Sequence, residues 1–380
     1  MYKVFVYDIM SLAELCVYAE SSIRRKTHGD DSRRDIISQD IILAAWPFWK
    51  GNDMKKLTSL ILCCIILSLS LIGCSSTNQE PISQTGFAFD TVITIKLYDS
   101  TDTNILAECI ALCEKYEHLF SATLEGSDIW NINHANGQAV TVSEDTIALL
   151  TEAISYCEMT EGILNLTLRP ISALWDFSGQ IAASPDTYYI PTDDELSDLM
   201  THVDYRNVHI LENNQVQIAD AEAQIDLGFI AKGFIADRLK EYLLSQGVNS
   251  ALIDLGGNIL TVGCKPDGSG FLVGVKRPYG NDAIATKTII DSSMVSSGCY
   301  ERYFEQDGIQ YHHILDSTTG YPIDNDLLGV TILSESSTMG DAYSTYCYIL
   351  GLEKGMEFIL SQEGVEAIFI TKDYELHFSY

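Results

Sequence analysis

Basic residues are scarce in this sequence: 23 Lys and Arg stand against 53 Asp and Glu, a formal net charge of −30 over 380 residues. The imbalance lies after residue 73, because residues 1–73 hold 9 basic and 8 acidic side chains and leave 14 basic and 45 acidic. Binding to nucleic acid needs a basic surface that neutralises phosphates, so the shortage argues against that class of partner. An acidic surface instead favours a soluble protein and suits a site that recruits divalent cations.

Several familiar binding motifs are also missing. No Cys-x-x-Cys pair occurs among the cysteines that follow Cys74, which argues against a zinc site. Neither Gly-x-Gly-x-x-Gly nor a Walker loop occurs, so the common dinucleotide and phosphate-loop fingerprints do not apply. There is no internal repeat of fixed period, which argues against a repeat architecture.

A long uncharged run does occur, at residues 57–73, directly after the basic start at 54–56. A basic start, an apolar run and small residues at the exit are the parts of a secretory signal. The Leu-Ile-Gly-Cys ending resembles a bacterial lipobox, in which Cys74 receives lipid; an ordinary membrane helix is the alternative. We therefore expect a lipid-anchored protein on the extracytoplasmic face of a bacterial cell membrane.

The chain divides into four predicted parts. Residues 1–53 show little periodic pattern, and we interpret them as a non-native upstream extension, with a genuine cytoplasmic extension as the alternative. Residues 54–73 form the predicted signal peptide and residues 74–86 a polar tether. Residues 87–380 form the predicted functional domain, which is long enough for one large core or two joined lobes.

Apolar periodicity predicts the elements of this domain. Strands are predicted at 87–97, 251–254, 259–262, 271–275, 287–290, Ile314 and 330–333, with a hairpin of 208–211 and 215–219. Helices are predicted at 103–119, 144–160, 233–246 and 339–350, the last closed by Gly351, and a loop at 178–195. Because the strands fall mostly in hairpins, we predict an α+β fold with antiparallel sheets.

The stretch 225–233 runs directly into the clearest predicted helix. Its small residues let backbone N–H groups approach a ligand, and the start of a helix favours an anion. Lys232 adds a positive charge, so a nucleotide phosphate fits there. A glycine-rich turn with a surface lysine explains the stretch equally well.

A second candidate lies on the helix predicted at 339–350. Asp341 and Thr345 are four residues apart, so their oxygens project from one helix face. A carboxylate beside a hydroxyl suits Mg²⁺, which prefers oxygen ligands. The alternative is a solvated Asp beside a packed Thr.

A third candidate is the histidine pair His312 and His313, followed by Asp316. A histidine near a carboxylate is a candidate general acid or base. Alternation along a strand would turn the two rings to opposite faces, so only one would face a site. A hydrogen-bonded structural histidine is the alternative.

These weak signals occur in one order along the chain. The order comprises Gly-Phe-Ile-Ala-Lys-Gly at 228–233 with Ala-Asp at 236–237, Asp-Leu-Gly-Gly-Asn at 254–258, Ser-Ser-Gly-Cys-Tyr-Glu-Arg-Tyr at 296–303, His-Ile-Leu-Asp at 313–316 with Thr-Gly-Tyr-Pro at 319–322, and Asp-Ala-x-Ser-Thr at 341–345. It resembles the FAD:protein FMN transferase family, also called ApbE or the thiamine biosynthesis lipoprotein family. The resemblance runs from Phe89 to the C-terminus and implies two intimately joined lobes of antiparallel sheet and packed helices, with a ligand cleft between them.

The resemblance also implies an activity. A Thr or Ser hydroxyl of a partner protein attacks the FMN-side phosphorus of FAD, AMP leaves, and FMN stays attached as a phosphoester in a Mg²⁺-dependent reaction. Ala231, through its carbonyl, and Asp341 and Thr345 match the magnesium ligands, with Ser344 nearby, and His313 matches the catalytic base. The residues that match the FAD-binding positions are Phe89, Ile163, Leu164, Asn165, Asp226, Gly228, Lys232 and Leu315.

One segment departs from the family pattern. Asn165 stands where the family often has Asp, and Arg169 stands where it has Gly. The loss of a negative charge puts FAD contacts by this loop in doubt. The family's acceptor motif, Ser/Thr-Gly-Ala-Thr, is missing here, so the expected acceptor is another exported protein that carries it. An FAD pyrophosphatase that gives FMN and AMP, and a non-catalytic flavin-binding lipoprotein, remain as alternatives.

Overall fold

The computed structural model describes residues 80–380. The predicted signal peptide, the lipidation site at Cys74 and the tether up to residue 79 lie outside the described residues. Within the described part, no helix is both long and apolar enough to cross a membrane.

Strands and helices are interleaved along the described chain. The strands are β1 Ile82–Ala88, β2 Thr91–Leu97, β3 Val140–Thr141, β4 Val208–Leu211, β5 Gln215–Ile218, β6 Ala251–Leu255, β7 Asn258–Val262, β8 Phe271–Lys276, β9 Ala283–Ile289, β10 Ser293–Gly298, β11 Tyr303–Gln306, β12 Ile309–His312, β13 Leu327–Ser334, β14 Glu366–Thr371 and β15 Leu376–Phe378. The helices are α1 Thr103–Phe120, α2 Asp128–Asn133, α3 Glu144–Met159, α4 Arg169–Trp175, α5 Phe177–Ala183, α6 Asp193–Met200, α7 Ala231–Ser245 and α8 Ser337–Leu360.

One large antiparallel sheet organises the described residues. Its eight strands run in the order β1-β2-β6-β7-β10-β13-β14-β15. Every residue of β13, near the middle, is buried, whereas the edge strand β1 alternates between exposed and half-buried residues. Smaller sheets pair β8 with β9, β11 with β12, and β3 and β4 with β5. The predicted α+β class is confirmed.

Two large apolar cores lie along the sheet. The first packs β1, β2, β6 and β7 with α1, α3 and α7, and it contains the buried Cys109 and Cys113. The second packs β10, β13 and β14 with α8. Tyr156 and Phe229 contact both, which joins the two halves of the fold. A third cluster forms around Trp175, whose indole Nε1 donates a 2.8 Å hydrogen bond to the carbonyl of Gly320.

The single strand predicted at 87–97 is wrong. Two strands, β1 and β2, meet at a turn in which Phe89 and Asp90 have φ of 56° and 57°. Strand β1 begins at Ile82, so residues 82–86, assigned to the tether, belong to the sheet. Pairing with β2 and packing of Gly86 against Ile110 of α1 order this polar stretch, and neither contact is visible in its own sequence.

The loop predicted at 178–195 is partly wrong, because α5 and α6 occupy both of its ends. The Asp176 side chain accepts a hydrogen bond at the start of α5, and Thr192 and Glu195 form a reciprocal capping box at the start of α6. Several observed elements were not predicted at all, namely α2, α4, β3, β10, β11, β14 and β15. Ile314 lies just outside β12, and α8 continues beyond Gly351, where a φ of 77° kinks the helix.

Candidate functional site

Helices α7 and α8 meet at their N-terminal ends. A Cβ at Gly233 would lie 2.3 Å from the carbonyl oxygen of Ser337, so glycine permits a backbone approach that other residues do not. One turn later, the Asp237 carboxylate accepts hydrogen bonds of 2.7 to 2.9 Å from the Ser336 hydroxyl, from the Ser337 N–H, and from both the N–H and the hydroxyl of Thr338. Asp237 therefore caps α8 and fastens it to α7.

This junction places the carboxylate of Asp341 against the start of α7. Asp341 is 3% exposed, and one of its oxygens accepts a 2.9 Å hydrogen bond from the Gly233 N–H. Its other oxygen lies 3.8 Å from the Lys232 ammonium, beyond ordinary hydrogen-bonding distance. Burying a carboxylate is costly unless its charge is closely paired, and the Lys232 ammonium is distant. The site therefore favours the binding of an additional cation. Ala231, which was predicted to offer its carbonyl, is the first residue of α7.

Hydroxyl groups surround the next turn of α8. The Ser344 hydroxyl donates a 3.0 Å hydrogen bond to the carbonyl of Asp341. Ser297 of β10 lies 2.8 Å from the Ser344 hydroxyl and 3.1 Å from the Thr345 hydroxyl. Sequence reasoning gave Ser297 no role, although the Ser-Ser-Gly motif that contains it was noticed.

The carboxylate of Asp341 and the hydroxyls beside it fit magnesium, because all of them are oxygen ligands. Among residues 80–380, no group of three or more His, Cys, Asp or Glu side chains is arranged to hold a metal. A site rich in nitrogen or sulfur ligands is therefore not found in the described part. The junction of α7 and α8 remains the place where a hard cation fits.

The two histidines have different surroundings. His312 is buried, and its Nε2 donates a 2.9 Å hydrogen bond to the carbonyl of Ile323. The Nδ1 of His313 is also buried but has no hydrogen-bond partner among residues 80–380. Burial, and then the positive charges of Arg302, His312 and Lys232, lower the pKa of His313 to about 3. His313 is therefore a neutral imidazole at neutral pH with an unused ring nitrogen.

Lys232 connects this histidine to the carboxylate on α8. Its charge helps to lower the pKa of His313, and its ammonium lies 3.8 Å from Asp341. Its charge also acts on Glu301, a residue that is exposed at the surface but whose carboxyl lies among many protein atoms. This partial burial raises the pKa of Glu301, and the charge of Lys232 opposes the rise. The charge of Lys232 therefore influences the pKa values of His313 and Glu301, while its ammonium approaches Asp341.

The residues predicted to bind FAD lie mostly on adjacent segments. The Asp226 carboxylate accepts hydrogen bonds of 2.8 Å from the Ser172 hydroxyl and 2.9 Å from the Gly228 N–H. The Asp226 N–H donates to the carbonyl of Leu166, which sets the segment before α7 beside the segment that contains Asn165.

The segment around Asn165 is held by local contacts. The side-chain oxygen of Asn165 accepts hydrogen bonds from the N–H and the hydroxyl of Thr167. This contact needs an acceptor but no charge, so an amide serves it as well as a carboxylate. Leu164 is buried, and Ile163, which precedes it, is half-buried.

The loop after His313 packs against that segment. The Ser317 hydroxyl donates a 2.8 Å hydrogen bond to the carbonyl of Gly162, and Leu315 is buried in the Trp175 cluster. Phe89 differs from the others, because its N–H donates to Glu117 and no hydrogen bond in residues 80–380 joins it to these segments. Its role in FAD binding stays a prediction.

Comparison with known proteins identifies the family. Residues 89–369 match the family model described as ApbE. The chain belongs to the ApbE family. A relative from Treponema pallidum named FAD:protein FMN transferase is 33% identical over 334 residues, which are 82% of this chain and 90% of the relative. A relative from Klebsiella pneumoniae strain 342 with the same name is 36% identical over 288 residues, 75% of this chain and 87% of the relative.

Solved ApbE structures share the fold. The ApbE protein of Thermotoga maritima superposes with a TM-score of 0.72 at 29% identity, covering 78% of this chain and 96% of that one. The flavin transferase ApbE of Vibrio cholerae gives 0.69 at 28% identity, covering 79% and 96%. The family recognised from the ordered motifs, the fold class and the prediction of a transferase enzyme are therefore confirmed. The individual site residues stay predictions.

Proposed function

We propose that this ApbE chain transfers the FMN half of FAD to a Thr or Ser hydroxyl of an exported partner protein, with release of AMP and dependence on Mg²⁺. The proposal is supported by the shared name of the relatives from Treponema pallidum and Klebsiella pneumoniae. The structural observation that carries it is the buried carboxylate of Asp341, held at the start of α7 beside Lys232.

In the proposed reaction, the acceptor oxygen forms a bond to the FMN-side phosphorus, and the bond from that phosphorus to the bridging oxygen breaks. The bridging oxygen leaves as part of AMP. The proton of the acceptor hydroxyl passes to the imidazole of His313, whose pKa of about 3 keeps it unprotonated at neutral pH. Its low basicity means that proton transfer accompanies, rather than precedes, attack on the phosphorus.

The residues of α7 and α8 hold the phosphates and the metal. Asp341, Thr345 and the Ala231 carbonyl would bind Mg²⁺, which when bound neutralises pyrophosphate charge. Lys232 adds a positive charge near the same phosphates, and Asp226 and Gly228 order the backbone that leads into α7. The flavin and adenine would contact Phe89, Ile163, Leu164, Asn165 and Leu315.

The test supplies the protein with FAD, MgCl₂ and a purified exported protein that carries a Ser/Thr-Gly-Ala-Thr segment. We expect one AMP released for each flavin attached, measured by chromatography and by the mass of the fluorescent acceptor band. Replacing the acceptor hydroxyl residue with valine should abolish both. Release of FMN and AMP at the same rate without acceptor would favour a pyrophosphatase, and binding of intact FAD without AMP would favour a flavin-binding lipoprotein.

We also propose that Cys74 carries lipid and holds the domain at the extracytoplasmic face of a bacterial membrane. The lipobox-like sequence before Cys74 supports this, and strand β1 begins only eight residues after it, at Ile82. Such a tether spans at most roughly 30 Å, since an extended residue covers about 3.5 Å. The Cys74→Ser variant should move from the detergent phase to the aqueous phase in a Triton X-114 partition, while a Cys264→Ser control stays with the detergent.

A further inference from the structure

We propose that Ser297 is a positioning residue, which orients the hydroxyl of Thr345 so that its lone pairs face the cation. The inference rests on the magnesium site of the proposed function. It starts from three distances in the cluster of hydroxyls between β10 and α8. Ser297 Oγ lies 2.8 Å from Ser344 Oγ and 3.1 Å from Thr345 Oγ1, and Ser344 Oγ lies 3.0 Å from the carbonyl oxygen of Asp341.

The carbonyl at one end of this cluster sets the direction of every proton in it. A carbonyl oxygen only accepts, so Ser344 must donate its single hydroxyl proton to Asp341. Ser344 then has no proton for Ser297 and must accept from it. Ser297 donates its only hydroxyl proton to Ser344, so the hydroxyl of Thr345 must donate to Ser297. The chain runs from Thr345 through Ser297 and Ser344 to the backbone of Asp341.

A Thr345 hydroxyl that donates its proton to Ser297 is oriented as a metal ligand must be. A hydroxyl that binds a cation uses a lone pair, so its proton must go to another acceptor, and such outer partners orient the ligand. Ser297 is that acceptor for Thr345. The chain ends on the backbone carbonyl of Asp341, whereas the Asp341 carboxylate is held separately by the Gly233 N–H.

The same chain gives a role to Ser344, which was predicted only to lie near the magnesium ligands. Ser344 is fully buried, and its hydroxyl both accepts from Ser297 and donates to Asp341. We infer that it fixes the direction of the Ser297 hydroxyl proton and does not contact the cation itself.

Strand β10 supplies a matched control. Ser296 and Ser297 are adjacent and equally half-buried, but the Ser296 hydroxyl lies 2.8 Å from the hydroxyl of Thr331 on β13. Ser296 and Thr331 are paired directly across the strands, away from the ligands on α8. Removing the Ser296 hydroxyl breaks its hydrogen bond to Thr331, whereas removing the Ser297 hydroxyl breaks the bonds to Ser344 and Thr345. Only Ser297 belongs to the chain that ends at Asp341.

The experiment measures Mn²⁺ binding by electron paramagnetic resonance, without FAD, and the Mg²⁺ dependence of flavin transfer. Ser297→Ala should weaken Mn²⁺ binding and raise the KM for Mg²⁺ by roughly 10-fold or more, the usual cost of losing an outer partner of a metal ligand. The kcat at saturating Mg²⁺ should change much less. Ser296→Ala should leave both values within about twofold, and Ser297→Thr, which keeps the hydroxyl, should restore binding.

A double variant separates orientation from general damage. In a Thr345→Val background, Ser297→Ala should cause little further loss of Mn²⁺ affinity, because the hydroxyl that it orients is already missing. The inference would be overturned if Ser297→Ala lowered Mn²⁺ affinity as much in the Thr345→Val background as in the unchanged protein. It would also be overturned if Ser296→Ala lost as much Mn²⁺ affinity as Ser297→Ala, or if Ser297→Ala bound Mn²⁺ normally. If the unchanged protein transfers flavin while Ser297→Ala binds Mn²⁺ normally, only this inference fails. If the unchanged protein neither binds Mn²⁺ nor transfers flavin, the proposed function fails with it.

Discussion

The N–H of Gly233 donates a 2.9 Å hydrogen bond to the carboxylate of Asp341, 108 residues further along the chain. The bond joins the first turn of α7 to the first turns of α8. It exists because the two helices approach so closely that a side chain at Gly233 would collide with the backbone of Ser337. The candidate site therefore depends on how these helices pack as much as on the residues they carry.

The Asp341→Asn variant should lose flavin transfer while keeping its fold. An amide of the same shape still accepts a hydrogen bond from Gly233 but no longer attracts a cation, so we expect the rate to fall at least ~100-fold. Without Mg²⁺, the melting temperature should be unchanged or higher, since a buried and weakly paired carboxylate opposes folding. Transfer assays and thermal melts check this, and undiminished transfer would refute the metal assignment.

The Gly233→Ala variant should be destabilised by about 1–3 kcal/mol, the usual cost of forcing an extra methyl group into a close contact. The added Cβ meets backbone atoms of Ser337 and Thr338 rather than movable side chains. Flavin transfer should fall as well, because α7 and α8 must separate. Urea denaturation measures the first effect. Gly274→Ala, in an exposed position of β8, is the control: its added Cβ would meet only the Ala283 side chain, at 3.1 Å, so it should lose clearly less stability than Gly233→Ala.

The Asp237→Asn variant should weaken the cap of α8. Its carboxylate accepts four hydrogen bonds, and each bond to a charged group contributes about 1.5–3 kcal/mol. Losing the charge and turning one oxygen into a donor should cost at least ~2 kcal/mol of unfolding free energy. The control is Glu241→Gln on the same helix, since Glu241 is 62% exposed in its side chain. Equal stability of the two variants would contradict the role assigned to Asp237.

The His313→Gln variant should lower kcat for flavin transfer by about 10²–10⁴-fold, the usual contribution of a general base. FAD binding, measured by quenching of flavin fluorescence, should change little. Because the pKa of His313 is about 3, its protonation should not reduce kcat between pH 6 and 8. Full activity of the variant would remove the base from the proposed mechanism.

The same histidine should make stability depend on pH. Its pKa falls from an ordinary 6.5 to about 3 in the folded protein, so between these values the unfolded chain binds the extra proton. The unfolding free energy therefore rises with pH between about 3 and 6.5. The contribution of His313 is fully present above about pH 6.5 and is lost as the pH falls through the window. Going from pH 7 to pH 5, the unchanged protein should lose more unfolding free energy than His313→Gln. The pKa of His312 is also lowered, to about 4, but it contributes to both proteins and cancels.

Local sequence predicted much of this fold. The apolar repeat of α1 and α3 placed both helices nearly to the residue, and the Asn213-Asn214 turn placed β4 and β5. The predictions were wrong where contacts between residues far apart in the sequence determine the local structure. Strand β1 is an example, because its polar stretch becomes a strand only through the neighbouring β2 and α1. The ends of the 178–195 loop became helices through the caps at Asp176 and Thr192, which sequence reasoning did not use.

The sequence by itself determined the family, because the order of its motifs does not depend on knowing any contact. It also determined that Asp341, Ser344 and Thr345 share consecutive turns of one helix, since that follows from helical period alone. Only the tertiary structure decided that Ser297 touches two of them, that Asp237 fastens α7 to α8, and that His312 is bonded while the Nδ1 of His313 is not. These contacts join residues far apart in the chain, and the entropy lost in bringing them together is offset by burial of the whole core.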